Sequence, residues 1–227
     1  MMAVSGRWQS NHIDGRRQAT GQRLLETYAA LAARSEHLLQ GLLGGKLPRQ
    51  WSHYPQDDAI DVESGYQWFY HSHSPEDRQG ATEHGHFHVF ARRQLWARRM
   101  QSKAEKRFAA ITGNPSEHVN TRHLLSIAMN AKGIPISLFT VNSWVTGDLM
   151  LSATQTERLL ARMTLDTGYP EIDAVLESVS ALCCDEIRQL LAARDAILSS
   201  HPVRDVLSDQ SLEILSEAAI DLDRKLS

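Results

Sequence analysis

Apolar residues recur with helical spacing in several stretches of the chain. Over residues 20–43 they fall three and four positions apart, which predicts a helix that ends at Gly44-Gly45, because glycine adopts the left-handed conformation that terminates helices. A longer stripe over residues 171–199 predicts a helix with one continuous buried side. A last amphipathic helix is predicted over residues 209–225.

Four shorter runs have the alternation, or the aromatic and β-branched residues, that are typical of strands. They lie at residues 66–73, 84–91, 123–129 and 135–142, and a short turn joins the last two. Strands with helices before and after them predict the α+β class. We therefore expect an antiparallel sheet of at least four strands, packed with N- and C-terminal helices.

Length and composition fit one large domain with helical extensions. The chain has 227 residues, of which 42% are hydrophobic and 22% are charged, as in ordinary globular proteins. Residues 1–18 are polar and are expected to be a flexible N-terminus. We expect residues 19–200 to form a single α+β domain and residues 201–227 to form a C-terminal helical extension.

Histidines mark one face of two predicted strands. The sequence EHGHFH at residues 83–88 has an imidazole at every second position, and the preceding strand ends in HSH at residues 71–73. Side chains alternate faces along a strand, and directly opposed residues share a face. Pairing His71 with His86 would therefore bring five imidazoles to one side, which we call the histidine face: His71, His73, His84, His86 and His88.

Converging imidazoles predict a site for a divalent transition metal, because neutral imidazole is a common ligand for Fe, Zn and Cu. His123 opens the third predicted strand and extends the candidate ligand set. Glu83 and Asp77 lie nearby in sequence and are the candidate catalytic acids. Two histidines with a carboxylate would suit Fe(II), and three with a bound water would suit zinc hydrolytic chemistry, so the metal stays open.

Other features of the sequence argue against several classes of partner. The net charge of −3 gives no general attraction to nucleic acid or to an anionic membrane, and the basic run at residues 92–107 has no aromatic stacking platform beside it. No apolar run approaches the roughly 20 residues that span a bilayer. Adjacent Cys183 and Cys184 are typical of reduced thiols. We predict a cytoplasmic protein that acts on a small-molecule substrate, with its oligomeric state left open.

Several of these segments together resemble a known family. They are HYP at residues 53–55, the strand ending in HSH, EHGHFH, and the hairpin SIAMNAKGIPISLFTVNSWVTGD at residues 126–148. They look like an uncharacterised bacterial family classed as a domain of unknown function, over about residues 50–165 and with EHGHFH as the most specific element. The resemblance implies a self-contained domain and brings no known reaction.

Four interpretations of the function follow from these patterns. The first is a metal-dependent enzyme, an oxidoreductase or a hydrolase, that activates water or dioxygen at the histidine face. The second is a non-catalytic metal-binding or sensing module. The third is a flavin- or haem-binding protein, because the turn NAKGIP between two strands resembles hairpins of split-barrel proteins. The fourth is a helical interaction protein whose histidines bind no metal.

Overall fold

A computed structural model gives the fold of residues 5–72, 83–112, 120–202 and 205–227, with side chains described from residue 15. The described residues form nine α-helices and one seven-stranded sheet. The strands pair in the order β1-β2-β3-β4-β5-β7, each antiparallel to the next, and the short strand β6 runs parallel to β4. The predicted α+β class, with an antiparallel sheet and helices at both ends, is confirmed.

The strands and helices have the following bounds. The strands are β1 Tyr54–Ile60, β2 Tyr66–His71, β3 Gly85–Arg92, β4 Thr121–Met129, β5 Pro135–Val141, β6 Leu149–Met150 and β7 Ile214–Ala219. The helices are α1 Ser5–Ala33, α2 Leu38–Leu43, α3 Arg93–Trp96, α4 Lys103–Thr112, α5 Ser143–Thr146, α6 Ala153–Leu160, α7 Pro170–Leu182, α8 Cys184–Ser200 and α9 Leu222–Leu226. Among these helices, none combines the length and apolar character that crossing a bilayer requires.

One face of the sheet forms the main hydrophobic core with the helices. Tyr66, Trp68 and Tyr70 of β2 point into this core, as their period-two spacing predicts. The Trp68 indole donates a hydrogen bond to Asp173 in α7 at 2.9 Å, and the Tyr66 hydroxyl donates to the carbonyl of Leu159 in α6 at 2.8 Å. Because strand side chains alternate, the other face of β2 and β3 is left to the histidines.

The two long predicted helices are each interrupted. The stretch over residues 20–43 contains most of α1 and all of α2, and α1 begins earlier than predicted, at Ser5. Gly44 has φ 59° and ends α2, as predicted. The stripe over residues 171–199 contains α7 and α8, which meet at Cys183, where φ −99° and ψ 24° leave the helical region.

The prediction of a helix over residues 209–225 was wrong. Ile214–Ala219 forms β7, which pairs with β5, and only Leu222–Leu226 is helical. The segment has apolar residues that fit both a period of 3.6 and a period of two, and a short run cannot distinguish them. The segment forms a strand because its backbone pairs with the edge of β5. The C-terminal part of the chain therefore contributes a strand to the sheet as well as the short helix α9.

The strand β1 is not among the four strands that the sequence analysis predicts. Its residues YPQDDAI contain a proline and two acidic residues, which disfavour a central strand. The strand lies at the edge of the sheet, where proline is tolerated. Its position brings the preceding residues, Trp51 and His53, alongside β2.

We expect Tyr28→Phe to lower the free energy of unfolding by about 0.5–1.5 kcal/mol. The Tyr28 hydroxyl, on α1, donates to the carbonyl of Gly133 in the β4–β5 turn at 2.7 Å, so its loss leaves that carbonyl without this partner. Urea unfolding measures the change. The control is Tyr54→Phe, whose hydroxyl accepts an exposed local bond from Arg49 and should change stability by less than about 0.5 kcal/mol. Equal effects would show that α1 is not held at this turn.

Candidate metal centre

Three histidines of the histidine face converge on one point. β2 and β3 pair with His71 opposite His86, as predicted, and His88 lies two residues further along the same face. The ring centroids are 4.3 Å apart for His71 and His86, 4.6 Å for His86 and His88, and 5.0 Å for His71 and His88. All three are buried, and one ligand atom from each lies within 4.8 Å of the others. We call His71, His86 and His88 the triad.

A β-bulge in β4 brings two further polar side chains to the triad. His88 pairs with Ser126 and Val89 with Leu125, but Phe90 pairs with His123, so β4 contains one extra residue at this point. The bulge places His123 and Ser126 on the same face although they are three residues apart. Ser126 Oγ lies 2.9 Å from His88 Nδ1, and His123 Nε2 lies 3.1 Å from Ser126 Oγ. His123 therefore contacts His88 at Nδ1, on the side of the ring opposite to His86.

The hydrogen bonds fix the proton on one ring nitrogen and allow two assignments for the others. Glu83 is a carboxylate acceptor for His86 Nδ1, so this nitrogen donates. A consistent assignment for the second chain has His88 Nδ1 donating to Ser126 Oγ, whose hydroxyl donates to His123 Nε2. Both His86 and His88 then have a bare Nε2 atom, and these two atoms are 3.0 Å apart.

In this assignment the lone pairs of the two Nε2 atoms face each other, an arrangement that a shared metal cation stabilises. The opposite assignment, in which Ser126 donates to His88 Nδ1 and His88 Nε2 donates to His86 Nε2, needs no ion. Zinc binds imidazole nitrogen at about 2.0–2.1 Å, so ligand nitrogens that surround one ion lie about 3–3.5 Å apart. The donor set of buried imidazoles fits Zn, Fe or Cu. The arrangement can therefore hold such an ion.

Burial keeps two of these imidazoles neutral. It lowers the pKa of His88 well below the usual value, and the neighbouring His86, His123 and His71 lower it further. Burial and then the positive charge of Arg194 lower the pKa of His123 to about 3. Neutral imidazole is the form that binds metals, because the protonated ring has no free lone pair. The triad ligand His88 is therefore in the binding form at neutral pH.

Of the remaining predicted residues that the structure describes, His84 and Glu83 are not members of the triad. His84 precedes β3, and its Nδ1 lies 2.7 Å from the hydroxyl of Tyr70, which belongs to the core face. His84 therefore does not follow the alternation of β3. The prediction that His84 lies on the histidine face was wrong. At Gly85 the backbone of β3 lies so close to that of β2 that a Cβ atom would be 2.4 Å from the carbonyl oxygen of His71. This distance is too short for any residue other than glycine. His73 and Asp77 lie outside the described residues. Glu83 orients His86.

A cavity of about 140 Å³ adjoins the triad. Trp51 on its wall is 67% exposed, so the cavity reaches solvent. On the histidine face β4 carries only the small side chains of Ser126 and Ala128 opposite His88 and His86, which leaves room over the middle of the sheet. Besides the triad, the cavity is lined by residues from β2, β5, α5 and two connecting segments: Trp51, His53, Phe69, Phe139, Val141, Val145, Thr146 and Glu213.

The family of this chain is identified by comparing its sequence with the profiles of known families. The sequence profile of a family described as "Domain of unknown function (DUF6969)" matches residues 18–220. The chain belongs to this family. The DUF6969 match confirms the resemblance to a domain of unknown function, and it extends beyond residues 50–165 to the second half of α1 and to β7. Comparison with curated proteins and with solved structures gives no match. The DUF6969 assignment brings no reaction, so function is argued from the triad and its cavity.

The sequence analysis missed Glu213 and the aromatic walls of this cavity. Glu213 lies just before β7, in a segment predicted to be helical, so nothing placed it near the histidines. Phe69 and Phe139 each lie at alternating positions of their strands, and the period-two pattern could have assigned Phe69 to the face of His71. His53 stacks on Phe69 with ring centroids 3.7 Å apart.

Proposed function

We propose that this protein is a metal-dependent enzyme that binds Zn, Fe or Cu through the triad and acts on a small-molecule substrate. The observation that carries the proposal is the convergence of buried imidazoles, with the Nε2 atoms of His86 and His88 3.0 Å apart, beside a cavity that reaches solvent. Metal ions that catalyse reactions keep a coordination position open to water or substrate. The cavity supplies the space for that position.

The residues around the triad would fix its geometry. Glu83 holds His86 by its Nδ1, and Ser126 holds His88 by its Nδ1. Such partners set the tautomer and the ring orientation of metal-binding histidines and raise their basicity. A metal bound there would act as a Lewis acid and activate water or dioxygen. The chain itself would supply the pre-oriented donors and a mostly aromatic pocket that limits access of water.

A non-catalytic metal-binding module is the second candidate, and Glu213 is the observation that favours it. Glu213 is an exposed residue among those that line the cavity, and a fourth protein ligand would close the site to substrate. A flavin or haem is supported less well. Pockets for ligands of drug-like size measure about 300–1,000 Å³, whereas the cavity beside the triad measures about 140 Å³.

Two measurements test the proposal. Elemental analysis of the full chain purified without a His tag should find about one equivalent of Zn, Fe or Cu, and a protein without metal after growth in metal-replete medium would contradict the proposal. Azide is then titrated into the protein loaded with Co²⁺. A change in the visible spectrum on adding azide shows an open coordination position and supports an enzyme. An unchanged spectrum indicates a closed site and favours the non-catalytic module.

We expect Glu83→Gln to weaken metal binding by about 10–100-fold, because the loss of an orienting carboxylate has an effect of that size in metal sites. Glutamine keeps the shape of the side chain and removes its charge. Competition with a chelator of known affinity measures the change. The matched control is Glu63→Gln, an exposed residue in the β1–β2 turn. Equal metal affinities for the two variants would show that Glu83 does not support the triad.

A further inference from the structure

The walls of the cavity beside the triad consist largely of aromatic rings. The Phe139 ring lies edge-on to His86, with centroids 4.9 Å apart and planes at 87°, and the Phe69 ring lies 5.0 Å from His88. His53 stacks on Phe69, and the Trp51 ring is 6.3 Å from that of His71. Aromatic rings favour offset-stacked or edge-to-face contact with other rings. The cavity therefore favours a flat, unsaturated ligand.

The size of the cavity limits the ligand to one ring. Its volume is about 140 Å³. An apolar cavity of about 150 Å³ engineered in another protein binds benzene, which shows what such a space admits. Two fused rings, a nucleotide or a sugar phosphate would need the larger pockets, of about 300 Å³ or more, that are typical of drug-sized ligands.

The polar groups that line the cavity indicate which substituent the ring of the ligand should have. Among the described lining residues, Glu213 is the one with a carboxylate, which accepts hydrogen bonds and donates none when ionised. A ligand would thus offer a donor, either a hydroxyl or an amine. A divalent cation at the triad repels an ammonium group but not a neutral hydroxyl. Charge therefore favours the hydroxyl over a protonated alkylamine.

We infer that the cavity binds a phenol-class compound, a single aromatic ring with a hydroxyl group that donates to Glu213. The inference rests on the proposed function, because the ring would present its reacting part to the triad. It goes beyond that proposal by assigning the substrate class. The inference concerns recognition alone and assigns no bond-breaking step.

Calorimetric titration of the metal-loaded full chain with four probes tests the inference. Phenol is compared with cyclohexanol, which has the hydroxyl but no aromatic face, with 2-naphthol, which has two rings, and with benzylamine, which is cationic at pH 7. Phenol is expected to bind at least about tenfold more tightly than each of the others, a difference of about 1.4 kcal/mol. Equal or tighter binding of any of the three, or no binding of phenol, overturns the inference.

Two variants locate the phenol in this cavity. Val145→Phe fills the cavity from its partly exposed wall, and Glu213→Gln removes the charged acceptor. Glu213→Gln should weaken phenol binding by about tenfold or more, the loss expected for a hydrogen bond to a charged group. Val145→Phe should weaken it by a similar factor of about ten, because the added ring occupies the space that phenol needs. The control is Glu217→Gln, an exposed residue of β7 that bonds to Ser137 at 3.2 Å. An unchanged affinity in both cavity variants would place phenol elsewhere and overturn the inference.

Metal content, measured separately on each protein, distinguishes the two proposals. If the wild type holds metal but does not bind phenol, the substrate class is wrong and the metal centre stands. If phenol binds to a wild type that contains no metal, the ring-binding cavity stands and the metal-dependent enzyme is wrong. If the wild type contains metal and binds phenol selectively, and the cavity variants lose phenol binding, both proposals are supported.

Discussion

Replacing His86 with alanine is expected to reduce the metal content of the purified protein to background. His86 is the middle member of the triad: its ring is 4.3 Å from His71, and its Nε2 is 3.0 Å from that of His88. Loss of an orienting residue costs about 10–100-fold in metal affinity. Loss of the ligand itself, which water replaces poorly, should cost more than about 100-fold. Elemental analysis and chelator competition measure the effect.

The control for this experiment is His201→Ala. His201 follows α8 and lies 3.5 Å from Asp209, and it does not line the cavity. Because alanine leaves a space at a residue that is only 2% exposed, His86→Gln should be tested in parallel, since glutamine fills most of that space without an imidazole. Full metal content in both His86 variants would show that the histidines converge for another reason, and the enzyme proposal would be abandoned.

The centre of the candidate site could be predicted because strand geometry is simple. Period-two spacing on two neighbouring strands fixes which residues share a face, and matching the histidines of the two strands selects the register. His71 opposite His86, with His88 beside it, follows from these two rules. The core side of β2 follows in the same way, since Trp68 and Tyr70 occupy the alternate positions.

Departures from regular geometry could not be predicted from the chain alone. Strict alternation puts His123 and Ser126 on opposite faces, and only the bulge in β4 brings both to His88. The same limit applies at the start of β3, where His84 lies outside the regular strand and turns to Tyr70. Bulges depend on how two strands pair over their whole length, which a local pattern of residues does not contain.

Residues that are distant in sequence were missed for a different reason. Glu213 reaches the cavity because β7 pairs with β5, and that pairing depends on an edge that exists only after the sheet has formed. The apolar spacing of the segment fits a helix equally well. Tertiary pairing overrides such local preferences, and the polar groups that it brings to a site are the ones that sequence patterns identify least well.

Lowering the pH from 7 to 5 is expected to destabilise the metal-free protein by about 1.4 kcal/mol per pH unit for each of His88 and His123, once the pH is below about 6.5. Burial holds the pKa of His88 well below the usual value and lowers that of His123 to about 3. In the unfolded chain both titrate near 6.5. Below that value the unfolded state binds protons that the folded state does not. Stability is thus complete above pH 6.5 and is lost as the pH falls towards the folded-state values.

Urea unfolding at pH 7, 6 and 5 in the presence of a chelator measures this loss, and His123→Asn isolates one of its two sources. Asparagine keeps a polar group near Ser126 but does not titrate, so the variant should lose about half of the pH dependence that the two histidines supply. Both proteins contain the same carboxylates, so the carboxylate contribution to the pH dependence cancels when the two are compared. Identical pH dependence in the wild type and His123→Asn would show that His123 is not buried in its neutral form. The assignment of His88 Nδ1 as a donor to Ser126, which requires a neutral acceptor at His123, would then be wrong as well.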